Sequence, residues 1–256
     1  MFSVMRFYHF SLFFFLLMSC TSTKKEISKT NKNKILFVVS NQHTYGNTKI
    51  NAANHFGEIV FAYDVFINNN YDVDFVSPKG GAIPIGYLST SDSIQKKYIY
   101  DFQLMNKLKN TKPPNLITSK NYKAIYYVGG GAAMFGVPEN KQIQKMALDI
   151  YNNNGILSAI CHGTAGIVNI KNTKGQYIYN DKKVNGFPDK FENKNGKYYE
   201  SFPFSIEEII KKRGGKFSYS DKGWDNYFTV DGRLITGQDP TAAASVAKEI
   251  IKQLNK

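Results

Sequence analysis

Gly155-Ile156-Leu157-Ser158-Ala159-Ile160-Cys161-His162-Gly163-Thr164-Ala165-Gly166 is the stretch that decides how this chain folds. Residues 155–160 are a short apolar run, which suits a strand buried on both faces. Cys161 stands at its C-terminal end, and residues 163–170 can form a helix behind it. A reactive residue between a buried strand and a helix sits on a tight turn, its side chain pushed into an open crevice. The helix N-terminus there offers backbone N–H groups and a positive partial charge, which lower a thiol pKa and stabilise an oxyanion. Gly163 and Ala165 are small enough to let the helix pack closely on the strand. Taken alone, the Cys-His adjacency is equally compatible with a buried structural cysteine.

The same alternation extends outward. Ile35-Leu36-Phe37-Val38-Val39 is a continuous apolar run ending at Ser40-Asn41, as a buried parallel strand requires. Ile59, Ala62, Tyr63 and Phe66 carry a helical period across 55–69, which stops in Asn68-Asn69-Asn70. Strands follow at 72–76 and 124–128, the second running into Gly129-Gly130-Gly131. Residues 139–152 read as a helix, 82–120 as a helix with a covering loop, and 176–200 as a hairpin or extended excursion. The segment 205–213 is helical, with Glu207 and Glu208 in its first turn and Lys211, Lys212 and Arg213 in its last, as the helix dipole prefers. Residues 227–236 predict a hairpin with an Asp231-Gly232 turn. A last helix over 240–254 opens with Pro240 in the first helical position. Together these imply an α/β fold, one doubly wound and mostly parallel sheet sandwiched by helices, with its ligand site at the strand C-termini.

The chain has 256 residues, 42% of them hydrophobic, and a formal charge of +13. Its lysines are dispersed, with the densest cluster at Lys24, Lys25, Lys29, Lys32 and Lys34. No arginine-rich recognition helix or zinc spacing accompanies them, so a nucleic-acid partner is not expected. Residues 1–19 read as a lipoprotein signal peptide: Arg6 supplies a positive n-region, and 10–18 is an apolar stretch too short to span a membrane comfortably. Leu17-Met18-Ser19-Cys20 resembles a bacterial lipobox, in which Cys20 is the lipidated residue; a plain secretory signal with an incidental cysteine is the alternative. Residues 20–33 read as a flexible tether and 34–256 as the α/β domain. The expected location is the cell envelope, with a lipid anchor to the membrane and a basic segment attracted to anionic lipid. Only two cysteines exist, so with Cys20 capped Cys161 is the sole free thiol, without a disulfide partner or a multi-cysteine metal site.

The elbow Ala159-Ile160-Cys161-His162-Gly163 resembles that of the ThiJ/PfpI superfamily, also called class I glutamine amidotransferase-like, whose fold is flavodoxin-like. Other matching pieces are Gly57-Glu58, Val76-Ser77-Pro78-Lys79-Gly80-Gly81, Tyr127-Val128-Gly129-Gly130-Gly131 with Met134 and Pro138, Val184-Asn185-Gly186-Phe187, and residues 231–240. They run in order over nearly the whole chain after Lys34. The closest resemblance is to the branch of heat-shock-type chaperones and cofactor-independent glyoxalases (glyoxalase III, which hydrates methylglyoxal to lactate). It implies Cys161 as nucleophile, His162 as its acid/base partner and Glu58 as the carboxyl touching the thiol. A carboxylic acid pressed against a thiolate in a dry crevice has a raised pKa and donates a hydrogen bond to sulfur; a first-turn glutamate satisfying the helix dipole is the plainer role. Asp189 fits the position that orients the histidine, with Glu192 as the alternative. Gly130 and Gly131 would bring N–H groups toward an oxyanion. The resemblance implies no cofactor, a small-molecule carbonyl substrate and a homodimer.

Histidines separate the branches. Glutamine amidotransferase chemistry needs a late His-x-Glu pair, and after Cys161 the only histidine is His162. His43 and His55 precede the site, each readable as a substrate contact or as a solvated or capping residue. Where the glyoxalase-like branch usually has Gly-Gly-His-Gly and a later Asp, this chain has Gly131 and Gly136, and Ala62 stands where proline is frequent. The expected activity is conversion of a small reactive carbonyl; the alternatives are an envelope chaperone or redox-sensing protein using the same thiol, and an amidase or peptidase.

Overall fold

The computed structural model describes residues 1–2 and 33–256. The expected signal core, Cys20 and the tether up to Lys32 lie outside the described residues. In chain order the strands are β1 (Lys34–Val38), β2 (Asn54–His55), β3 (Asp72–Val76), β4 (Ile85–Gly86), β5 (Tyr122–Tyr127), β6 (Ile156–Ile160), β7 (Lys183–Val184), β8 (Lys216–Phe217), β9 (Phe228–Asp231) and β10 (Leu234–Gly237). The α-helices are α1 (Phe56–Asn68), α2 (Ser93–Ile99), α3 (Phe102–Lys109), α4 (Lys141–Asn152), α5 (Ile206–Lys212) and α6 (Ala243–Leu254). The main sheet has the order β3-β1-β5-β6-β10-β9 and is parallel except for β9, which runs antiparallel to β10.

Side chains alternate across a strand, and here both faces are covered, so the strands are apolar throughout. Ile35, Phe37 and Phe75 face the side where Phe56, Ile59 and Phe66 of α1 and Val246 and Ile250 of α6 pack. Leu36, Val38 and Ile125 face the other, against Ile143, Ala147 and Ile150 of α4 and Ile210 of α5. Phe37 is wholly buried among Phe66, Phe75 and Tyr126, with ring centroids 4.7–5.9 Å away. Truncating such a residue to alanine costs about 3–5 kcal/mol. Among the described residues no helix is long and apolar enough to cross a membrane.

Three segments differ from expectation. Residues 82–120 contain two helices, because Asp92 and Asp101 each cap one by accepting from the N–H three residues on. Residues 176–200 do not form a hairpin: β7 pairs in parallel with the distant β8. The stretch after the elbow is a run of 3-10 turns, Cys161–Ile167, rather than an α-helix. Gly163 and Gly166 lie so close to Tyr127 that a Cβ on either would overlap it. In the β9–β10 hairpin, Asp231 pairs with Leu234, which leaves Gly232 and Arg233 as the central turn residues. Gly232 takes φ +58 at the first of them, where a type II′ turn wants glycine.

Candidate active site

Cys161 follows β6 directly and takes φ +54, in the left-handed region, while only 3% exposed. Holding a non-glycine residue there costs on the order of 1–3 kcal/mol and requires surroundings that impose it. Close packing supplies the constraint. A Cβ at Gly129 would meet Ile160 O at 2.8 Å and Cys161 Cβ at 2.9 Å, and Gly163 sits against the Tyr127 carbonyl.

Several groups converge on the sulfur. His162 Nδ1 lies 3.5 Å from Sγ. The backbone N–H groups of His162 and Gly130 are near enough to pull the thiol pKa down, and the Glu58 carboxyl, on the first turn of α1, is near enough to push it up. Glu58 is fully buried. Its Oε2 accepts from the Gly129 N–H at 2.7 Å, while its Oε1 has no nitrogen or oxygen partner among the described residues. Burial pushes this carboxyl up to about 8, against the opposing effects of the Gly129 N–H and the thiol. It therefore rests protonated at neutral pH.

The Cys161 thiol is pushed up as well, by burial first and by the Glu58 carboxyl second. This is opposite to the lowering expected from the N–H groups behind the turn, whose effect is present but outweighed by burial. The two groups titrate as a pair. With Glu58 protonated, its repulsion of a thiolate disappears and its O–H can donate to the sulfur instead.

His162 is held by its ring and by its far nitrogen. The ring stacks on Phe187 at 4.8 Å and meets Phe202 at 5.5 Å. Nε2 lies 2.7 Å from Glu192 Oε1, and Glu192 Oε2 accepts from the Tyr198 hydroxyl at 3.2 Å. An acceptor on Nε2 leaves Nδ1 free of a proton on the side of the sulfur. Asp189, assigned this role from the sequence, does not reach the imidazole. Its oxygens accept from Ser205 Oγ at 2.6 Å and Lys194 Nζ at 3.1 Å. The intervening 3-10 turn, Asp189–Phe191, leaves Asp189 beside the cap of α5 and brings Glu192 to the site.

Gly130 takes φ +87, and a Cβ there would strike the Ala53 carbonyl at 2.5 Å and His55 N at 2.6 Å, so only glycine fits. Gly131 does not line the cavity beside the thiol; the Tyr45 phenol occupies the space a side chain at 131 would take. That cavity has a volume of about 220 Å³. Cys161, His162, Gly130 and His55 line it together with Tyr87, Phe187, Trp224 and Pro240. His43 faces an adjacent, more open cleft of about 560 Å³ that shares Tyr87 as a wall. Among the described residues no cluster of three or more His, Cys, Asp or Glu is placed to hold a metal.

Sequence reasoning did not single out Tyr45, Tyr87, Tyr198 or Trp224. Tyr87 and Trp224 combine positive φ with large exposed rings, 49% and 57%, and neither property leaves a local signal in the chain. Trp224 is the single tryptophan, which is the only mark it carries.

A cysteine on a strained turn at the carboxyl ends of a parallel sheet, flanked by a buried carboxyl and a carboxylate-held imidazole, defines a class of α/β proteins built around one thiol. Within that class the chain belongs to the DJ-1/PfpI family, which it matches over residues 54–253. It is 29% identical over 239 residues to a glutathione-independent glyoxalase of Schizosaccharomyces pombe, covering 87% of this chain and 98% of that protein. It is 27% identical over 208 residues to glyoxalase 3 of Candida albicans, covering 76% and 86%. Among solved structures, the Rapid Encystment Protein 24 kDa of Francisella tularensis matches with a TM-score of 0.81 at 34% identity, covering 87% of this chain and 99% of that one. The flavodoxin-like α/β arrangement expected from the sequence is the fold of this chain.

Proposed function

We propose that this protein is a cofactor-independent glyoxalase that uses Cys161 to convert methylglyoxal, or a similar small dicarbonyl, to its 2-hydroxy acid. The observation that carries the reading is the buried, protonated Glu58 carboxyl against the Cys161 thiol at the floor of a cavity of about 220 Å³. Ligand pockets for larger molecules run from about 300 to 1,000 Å³, so a three-carbon dicarbonyl suits this one better than a peptide. The glyoxalase names of the curated relatives support the same reading.

In the proposed sequence the thiol proton passes to His162 Nδ1 and the sulfur adds to the aldehyde carbon. The new oxyanion is held by the Gly130 and His162 N–H groups and takes the proton back from the imidazolium, giving a hemithioacetal. His162 then removes the hydrogen on the first carbon as a proton, and the electron pair moves toward the ketone oxygen. Returning that proton to the second carbon, while the hydroxyl proton on the first carbon's oxygen passes to the second oxygen, gives a lactoyl thioester. Water cleaves the thioester, the sulfur leaves, and the net reaction is methylglyoxal plus water to lactate, with no external oxidant or reductant. Glu192 stabilises the imidazolium at each transfer. Glu58, buried behind the thiol, serves the sulfur rather than the substrate carbons, and His162 alone carries the proton between them. The test is lactate formation from methylglyoxal by the purified protein. Turnover that disappears in Cys161→Ala is expected; no turnover, or equal turnover by the variant, would remove the proposal.

We also propose that Cys20 is lipidated and holds the protein at the envelope membrane, a reading supported by the lipobox-like Leu17-Met18-Ser19-Cys20. Expressed in a bacterium with its leader, the chain should fractionate with membranes and incorporate labelled fatty acid, and Cys20→Ser should abolish both. A soluble, unlabelled wild-type chain would overturn this.

A further inference from the structure

His55 stands at the junction of two structural roles. It is the N-cap of α1: its Nδ1 accepts from the Glu58 N–H at 3.3 Å. A ring nitrogen that accepts a backbone N–H carries no proton, so in the neutral ring the proton sits on Nε2. Among the described residues the ring has no second hydrogen-bond partner, and His55 lines the cavity with Cys161, Gly130 and His162. Its plane is fixed by stacking on Tyr87, with centroids 4.7 Å apart and 5° between planes, and Tyr87 is tied by its hydroxyl to Tyr45 at 3.1 Å. The His55 backbone N–H donates to the Gly129 carbonyl at 3.0 Å, which fastens it to the loop under the thiol. Burial, with His162 nearby, pulls its pKa down to about 4 against the weaker pull of its own carbonyl. At neutral pH it is thus an uncharged donor at the positive end of a 13-residue helix. The same device, a neutral imidazole at a helix N-terminus polarising a carbonyl, is used by triosephosphate isomerase.

We propose that His55 is a catalytic residue whose Nε2–H donates a hydrogen bond to the second carbonyl oxygen of the substrate, the one on the carbon that sulfur does not attack. The inference rests on the proposed dicarbonyl chemistry and deepens it. Proton removal from the first carbon delivers negative charge to that oxygen, and a fixed neutral donor stabilises it without the cost of burying a second cation beside His162.

The test uses two thiol reagents. Chloroacetone alkylates Cys161 with loss of chloride and leaves a ketone one carbon from the sulfur-bearing carbon, the spacing found in the hemithioacetal. Methyl methanethiosulfonate modifies the thiol and has no carbonyl. In His55→Ser, where serine retains an N-cap acceptor, chloroacetone should react at least tenfold more slowly while methyl methanethiosulfonate stays within twofold. His55→Gln, which carries an amide donor, should recover part of the lost rate, and His55→Phe, which keeps the stack on Tyr87, should not. An unchanged chloroacetone rate, or equal slowing with both reagents, overturns the proposal. The reagent ratio decides the role of His55 even if the wild type forms no lactate, an outcome that would remove the glyoxalase reading separately.

Discussion

Replacing Glu58 with glutamine should abolish a specific part of the protein's pH-dependent stability. Glutamine keeps the carbonyl that accepts the Gly129 N–H and mimics the neutral carboxylic acid, but it cannot ionise. In the wild type, burial lifts Glu58 from 4.5 to about 8, so between those values the folded protein holds a proton that the unfolded chain has released. The associated stability is complete below pH 4.5 and is lost as the pH rises to about 8. Each unit of displacement corresponds to about 1.4 kcal/mol, so the window spans roughly 5 kcal/mol at most. The thiol is also held above its usual range, so it stays protonated in the folded resting protein across this window and leaves the slope to Glu58. Urea unfolding of wild type and Glu58→Gln at pH 5, 6, 7 and 8 measures the difference directly. Wild type should lose stability relative to the variant progressively from pH 5 to pH 8. A difference that does not change with pH would refute a carboxyl that rests protonated.

Other outcomes follow from the same geometry. Glu192→Gln should lower the turnover of methylglyoxal by about 10²-fold or more, by loss of the charge that supports the imidazolium. Asp189→Asn, whose residue faces Ser205 and Lys194, should stay within about twofold; steady-state kinetics on both variants checks the assignment. Gly130→Ala should destabilise the fold by at least about 1–3 kcal/mol from its positive φ alone, with overlap on the Ala53 carbonyl adding to it; denaturant midpoints report this. Trp224→Ala should raise KM more than it lowers kcat, because this exposed residue lines the cavity and has no part in the proton transfers.

The parts of the fold legible in the sequence are those whose signals are local. Ile35 to Val39 and Ile156 to Ile160 are continuous apolar runs because both faces of their strands are covered, and the abrupt end of the second run marks the elbow. The β7–β8 pair was not legible, since each strand is two residues long and finds its partner across more than thirty intervening residues. The choice between Asp189 and Glu192 was equally hidden. They lie three residues apart, and a single 3-10 turn sends one to Ser205 and Lys194 and the other to His162. For His55 the sequence leaves capping and substrate contact both open, because histidine is not among the residues that favour the N-cap; the fold shows its Nδ1 accepting from the Glu58 N–H. The thiol's direction of shift was misjudged for a physical reason: N–H groups behind the turn are visible in sequence, whereas total burial beside Glu58 is a property of the packed site. The missing side chain at Gly131 also became interpretable only with Tyr45 seen filling its place.

The central claim is that Cys161 adds to a small dicarbonyl and His162 then moves the proton. Methylglyoxal labelled with carbon-13 at the aldehyde carbon, mixed with His162→Gln, tests both halves in one spectrum. In the variant a protein-bound hemithioacetal carbon should build up on Cys161, slowly for want of the imidazole that takes the thiol proton, and without lactate, while wild type passes on to lactate. A bound carbon that persists in Cys161→Ala, or lactate formed by His162→Gln at the wild-type rate, would contradict it.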